Sequence, residues 1–391
     1  MRQATLYLFF ILMLLSSCRH DDYIIYSIDE DTGGKTVKSE IMGMYLLNEG
    51  NMGSNKCTLD YLDLSGNTET VHYYRNIYAE RNPSTVKELG DVGNDLKIHD
   101  NKLWMVINCS NKVEVATADS CRRLAKIDIP NCRYIAFDDN YAYVSSYVGP
   151  VQISTNTQLG RVYKIDMRTY QKVDSIEVGY QPEELCIVGN KLYVANSGGY
   201  RIPQYDHTIS IIDLSAFKEE KKIDVADNLH RCRADHYNQL WVSSRGTYNG
   251  TPARLFWLER DKQGEMTVKD NLPVAVSDMC IVGDSLYFFG VEWSYVKMEN
   301  EISYGIINVR THQLITRQLS EAKEIESITL PYGLIVNPVH RDFYIMDAKN
   351  YVSSGELLHF HADGTFDWRV WTGDIPAHAV FRMKKQPIYN Q

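Results

Sequence analysis

The chain has 391 residues, 44% of them hydrophobic, and a formal net charge of −9. That length fits two or three ordinary domains or one large repetitive architecture. A mildly acidic surface repels phosphate backbones and argues against nucleic acid as a partner, and no stretch beyond the start is apolar for long enough to span a bilayer.

At the start, Arg2 precedes an apolar run from Leu6 to Leu15, followed by Ser16-Ser17-Cys18. A basic start, an apolar run too short to cross a membrane and small residues before a cysteine predict a signal peptide over 1–17. Cys18 then becomes the acylated N-terminus. The acidic pair Asp21-Asp22 resembles the surface-export signal of Bacteroidetes lipoproteins, which implies an outer-membrane, lipid-anchored protein facing outward. Residues 18–40 read as a polar, flexible tether and 41–391 as the folded domain.

From Met44 onward an apolar-aromatic-apolar triplet recurs: Met44-Tyr45-Leu46, Leu103-Trp104-Met105, Ala142-Tyr143-Val144, Leu192-Tyr193-Val194, Leu240-Trp241-Val242, Leu286-Tyr287-Phe288 and Phe343-Tyr344-Ile345. The spacing is about fifty residues, within the range of propeller blades, and seven copies imply seven blades. The fourth copy shows four strands: Glu184 to Val188, a turn at Gly189-Asn190-Lys191, then Leu192 to Ala195, Thr208 to Asp213 and Lys222 to Val225. The predicted fold is therefore all-β, a seven-bladed propeller of four-stranded blades; a solenoid or sandwich suits the period less well. The first copy lacks an inner strand, and a spare segment, Ala377 to Phe381, is left at the end to supply it and close the ring.

Antiparallel alternation puts the loop between strands two and three, and the link from strand four to the next blade, on one face. Six of those loops are long: Asn48 to Cys57, Ser145 to Gly160, Asn196 to His207, Ser243 to Pro252, Gly290 to Glu301 and Asp347 to Ser354. They carry Tyr147, Tyr200, Tyr248, Trp293 and Tyr351 among Asn196 and Arg245, a mixture of rigid aromatic area and hydrogen-bonding groups typical of recognition surfaces. The links add Asn94, Arg133, Gln181, Glu184, Arg233, Asp278 and His378 near the axis. Asn94, Arg133, Tyr147, Asn196, Tyr200, Arg233, Arg245, Tyr248, Trp293 and Tyr351 form the expected ligand-binding set. Mixed charge in a central funnel suits a neutral, polar ligand.

Seven cysteines follow Cys18, an odd number, and none form a C-x-x-C pair. Cys186 and Cys280 occupy matching apolar contexts and read as small buried hydrophobes. Local signatures for phosphate cradling, zinc proteases and serine hydrolases are missing. His359-Phe360-His361 puts two imidazoles on one side of a strand, as a metal pair would, though such pairs are commonly solvent-facing on an outer strand. Neither a catalytic residue, a bound cofactor nor a metal is expected.

Asn48-Glu49-Gly50-Asn51, Gly90-Asp91-Val92-Gly93, Asp347-Ala348 with Tyr351, and Gly373-Asp374-Ile375-Pro376-Ala377 resemble the YncE-like, DUF5074-like surface propellers of Bacteroidetes from about Met44 to Phe381. In that group the BtuG type captures cobalamin and hands it to a TonB-dependent transporter. The resemblance implies a non-enzymatic surface lipoprotein with cobalamin or a related corrinoid as cargo. A glycan-binding lipoprotein and a propeller enzyme such as a lactonase or lyase remain the alternatives.

Overall fold

The computed structural model describes residues 28–35, 40–66, 69–85, 88–247, 250–294 and 297–384. Seven antiparallel sheets follow one another around a ring. Six hold four strands in simple order, and the first holds five. No helix among the described residues is long and apolar enough to cross a membrane.

The recurring triplet lies on the second strand of every blade, and its aromatic ring explains the repeat. Tyr45, Trp104, Tyr143, Tyr193, Trp241, Tyr287 and Tyr344 each enter a different hydrophobic cluster, and each cluster fills the wedge between two neighbouring blades. One large ring per wedge supplies much of the buried apolar area at that seam. Turns between first and second strands are tight because left-handed residues sit where expected: Asp100 and Asn101 at φ 48° and 55°, Gly189 at 61° and Gly283 at 56°. The third strand of blade 4 spans Thr208–Asp213, as read from the sequence.

The ring closes through the C-terminal strand. Pro376–Met383 pairs antiparallel with Ile41–Asn48, from Ile41↔Met383 to Asn48↔Pro376, and becomes the inner strand of blade 1. Gly333 on the neighbouring inner strand of blade 7 permits the approach, since a Cβ there would sit 2.2 Å from the Ala377 carbonyl oxygen. The last wedge joins Tyr344, Met346, Leu357, Trp368 and Val370 of blade 7 to Met44, Leu46, Leu62, Val71 and Tyr73 of blade 1.

Two expectations need correction. Within the segment read as a tether, Asp29–Lys35 is a strand, paired with Thr70–Tyr74 as a fifth, outermost strand of blade 1. Its register, Asp29↔Tyr74 to Lys35↔Thr70, satisfies an edge that four strands would leave open. Gly290 to Glu301 is not a loop but a hairpin. Ser285–Ser294 and Glu299–Asn308 stay in register out to Ser294↔Glu299, carrying Trp293 opposite Asn300.

Candidate functional site at the axial mouth

In six blades the pairing of the inner with the second strand shifts register near the top of the inner strand. The inner strand of blade 6, Asp278–Val282, pairs without a shift. A bulge inserts an extra residue and re-aims the side chains around it. Repeated around the ring, it brings successive polar residues to the axis on the long-loop face: Asn94-Asp95, Arg133-Tyr134, Glu183-Glu184 and His230-Arg231.

Glu183 is the hub of one half of this cluster. Its carboxylate accepts from Arg133 Nη2 at 3.1 Å and Nε at 3.3 Å, from Arg245 Nη1 at 3.3 Å and from the Tyr147 hydroxyl. The Arg133 guanidinium lies 4.8 Å from the centre of the Tyr147 ring. Burial pushes the Glu183 carboxyl up, but the two arginines and the phenol outweigh it and hold the group below its ordinary value. In the second half, Arg233 bridges Glu184 (Nε to Oε1, 3.0 Å) and Asp278 (Nη2 to Oδ1, 2.8 Å), while Arg231 Nε approaches the same Asp278 oxygen at 3.2 Å. Asp278 follows the same logic: burial raises it, and Arg231 and Arg233 bring it below the usual carboxylate range.

These two shifts set a pH window. Both folded values lie below the ordinary 4.5 of Glu and 3.8 of Asp, so the stabilisation is complete above those values and is lost as pH falls through the lower, folded ones. Glu183 and Asp278 by themselves are expected to leave urea midpoints level from neutrality to about pH 5 and to lower them below about pH 4, while His230, whose folded pKa lies well below its ordinary 6.5, lowers them already as pH falls through 6.5. A midpoint that rises on acidification through that range contradicts the ion-pair reading.

Between the halves sit Tyr134 and His230. Arg231 Nη1 is 3.2 Å from the Tyr134 oxygen, and that oxygen is 3.1 Å from His230 Nε2. A guanidinium only donates, so the phenol oxygen accepts from Arg231 and shares a second hydrogen bond with His230 Nε2. Burial, reinforced by Arg245, Arg231, Arg133 and Arg233, holds the imidazole well below its ordinary pKa and keeps it neutral. The other ring nitrogen, Nδ1, is buried and has no hydrogen-bond partner. On the far side of the mouth the Tyr332 hydroxyl donates to Glu49 Oε2 at 3.1 Å, His378 Nε2 is 3.4 Å from Glu49 Oε1, and the Tyr351 ring meets Tyr332 edge-on at 5.6 Å.

The expected binding residues divide accordingly. Arg133, Tyr147, Tyr200 and Arg245 meet around Glu183, with the Tyr200 and Tyr147 rings 6.4 Å apart. Arg233 is present but spent on Glu184 and Asp278. Tyr351 and Trp293 are exposed on the same face, at 43% and 49%. Tyr248 lies outside the described residues. Asn94 is buried and donates to the Arg133 carbonyl at 2.7 Å, a bond that fixes the neighbouring blade. Asn196 is wholly buried: Nδ2 donates to Thr208 Oγ1 and Ser210 Oγ, and Oδ1 accepts the Gly179 amide. It locks the end of the second strand to the third, as Asn48 does in blade 1 with Thr58 and Asp60, so it has nothing left for a ligand. Glu183, Tyr134, His230, Arg231, Glu49 and Tyr332 were not among the expected set; the signal that marks most of them is position at the start of an inner strand.

Cys186 and Cys280 are half-buried rather than enclosed, and the seven described cysteines are free. Nor are the two histidines of His359-Phe360-His361 both solvent-facing. His361 is exposed, whereas His359 is buried against Tyr344 and Trp368, with ring centres 4.5 and 5.0 Å away. On the long-loop face a groove of about 800 Å³ opens between blades 2 and 3, lined by Met52, Asn108, Cys109, Asn131, Val148 and Pro150 among others. Its Cys109 end lies within electrostatic range of Arg133.

A family model described as a domain of unknown function, DUF5074, matches residues 42–361. The chain belongs to the DUF5074 family. That match takes in all of the axial cluster except His378. No curated protein matches the chain. Among solved structures, a hypothetical selenium-binding protein of Sulfolobus tokodaii is similar with a TM-score of 0.64 at 11% identity, over 87% of this chain and 93% of that one. A Bacteroides uniformis protein named provisionally as a 6-phosphogluconolactonase gives 0.58 at 11% identity, over 87% and 100%. Kuenenia stuttgartiensis hydrazine synthase gives 0.56 at 14% identity, over 73% and 88%. At these identities the likeness shows the propeller fold alone, which this chain shares with proteins of diverse function.

Proposed function

We propose that this chain is a non-enzymatic surface lipoprotein that captures a small polar ligand at the axial mouth and passes it to a TonB-dependent outer-membrane transporter, with cobalamin or a related corrinoid as the favoured cargo. The observation that carries the binding site is His230 Nδ1, a buried ring nitrogen without a hydrogen-bond partner, within electrostatic range of Arg245, Arg231 and Arg133. An unsatisfied buried polar group costs about 1–3 kcal/mol, and a ligand group that hydrogen-bonds to it recovers that cost. The rings of Tyr200 and Tyr351 beside the mouth and Trp293 on its hairpin supply exposed area on the same face. Against an enzyme, Glu183, Glu184 and Asp278 are each committed to arginine, which leaves these carboxylates poorly placed to act as a general base. The corrinoid rests on the YncE-like and BtuG-type resemblance. Exposed aromatic platforms also stack on sugars, which keeps a glycan as the second reading.

Titration calorimetry with cyanocobalamin, and separately with soluble oligosaccharides, distinguishes them. Tyr351→Ala or Trp293→Ala is expected to cost about 2 kcal/mol, roughly thirtyfold in affinity, if the ring is a central contact. No heat with any corrinoid rejects that cargo, heat with oligosaccharides alone supports the glycan, and binding unchanged in both variants rejects the face. Anchoring is tested apart from binding: Cys18→Ala is expected to move the chain from the membrane to the soluble fraction or to block its maturation. A variant that still fractionates with membranes and stays open to external protease contradicts the lipid anchor.

A further inference from the structure

Blade 7 carries a second cluster on the face opposite the mouth. Asp342 precedes the second strand, Phe343–Asp347; His359 and His361 end the third, Ser354–Phe360, and the turn after it; Asp367 begins the outer strand, Phe366–Asp374. One donor atom each from Asp342, His359 and His361 lie within 4.8 Å of one another. His359 is 94% buried, given its 6% exposure, and its Nε2 has no hydrogen-bond partner. Asp342 Oδ2 is 3.8 Å from it, too far for a hydrogen bond.

We propose that Asp342, His359 and His361 bind a divalent transition-metal cation, Zn²⁺ fitting best, with Asp367 as a positioning residue. Two ligands about 2.1 Å from a tetrahedral ion stand about 3.4 Å apart, close to the observed His359–Asp342 gap. Asp367 Oδ2 lies 3.1 Å from His359 Nδ1, the carboxylate–histidine arrangement that fixes the tautomer and presents the other nitrogen to a metal. Tyr344 and Trp368 pack around His359 and limit its rotation. His361 is exposed and Asp342 partly so, which leaves a path from solvent and a fourth position for water. Two imidazoles and one carboxylate suit a borderline metal better than Mg²⁺ or Ca²⁺. The competing arrangement is an imidazolium of His359 paired to both carboxylates, with no metal at all.

The full chain, without an affinity tag, is titrated with Zn²⁺ by calorimetry and with Co²⁺ by visible absorption. One site per chain in the micromolar range or tighter is expected, with the intense visible bands of a four-coordinate Co²⁺ centre. His361→Ala, whose side chain is exposed and whose loss leaves the fold intact, and Asp342→Asn are each expected to weaken binding at least tenfold and to abolish the bands. Asp367→Asn is expected to weaken it roughly 10–100-fold and to alter the Co²⁺ spectrum. His207→Ala and His236→Ala, exposed elsewhere on the ring, leave binding unchanged. Absence of Zn²⁺ binding below millimolar concentration, or wild-type affinity retained in both His361→Ala and Asp342→Asn, overturns the site in favour of the ion-paired imidazolium.

Discussion

Removal of residues 376–391 is expected to abolish cooperative melting. Among the described residues blade 1 has no other inner strand: Pro376–Met383 pairs along the whole of Ile41–Asn48, and its loss leaves a row of unpaired backbone groups inside the ring. Ala379 and Phe381 leave the wedge between blades 7 and 1, and Val380 leaves the wedge between blades 1 and 2. Two seams open together, at a cost on the order of the 5–15 kcal/mol that stabilises a typical domain. Calorimetry should show no single transition, and gel filtration should show aggregates built on the bare edge. Gly333→Ala tests the same seam with one methyl group, which must displace the Ala377 carbonyl, and is expected to lower the melting temperature clearly. A truncated chain that melts like the full one removes the C-terminal strand from the closure.

The second large effect is expected at Glu183. Glu183→Gln keeps the shape but removes the charge facing Arg133 and Arg245, leaving Arg133, with 16% of its side chain exposed, without its counter-ion. Breaking a buried pair from one side typically costs 3–5 kcal/mol, far more than the pair contributes as a whole. Arg245→Ala is the contrast. Its side chain is 41% exposed, screening applies, and about 1 kcal/mol or less is expected. Urea unfolding of both variants reads the difference. Near-equal losses would mean that Glu183 is wetter than its surroundings indicate.

What the sequence makes legible is whatever repeats with a single cause. Each triplet aromatic fills one wedge, so Tyr45 to Tyr344 mark blades and seams together. The spare Ala377 to Phe381 strand is legible because the first blade begins one strand short. The site is less so. Arg133, Arg245 and Tyr147 stand out by type and loop position. Asn196 has the same type and position yet is consumed by Thr208, Ser210 and Gly179, an outcome fixed by cross-strand register. Tyr134, His230 and Arg231 were hidden for a related reason: period-two alternation sends one of two successive residues away from the axis, and only a bulge overrides it. Trp293 was misplaced because Val291 and Ile302 extend the strand pattern past the point where polar residues suggested a loop.

The outermost strand of blade 1 has a direction as well as a place. Asp29 pairs with Tyr74 where blade 1 leads on to blade 2, so the chain enters the ring at the long-loop face. If Cys18 carries the lipid, the ten peptide steps from it to Ile28 give a leash of at most about 35 Å. Such a short leash, fastened on that side, favours an orientation with the mouth turned toward the bilayer. On the capture reading proposed above, a soluble ligand would then reach it through a thin layer beside the membrane, and the proposed hand-over would need a tilt of the ring instead of a journey.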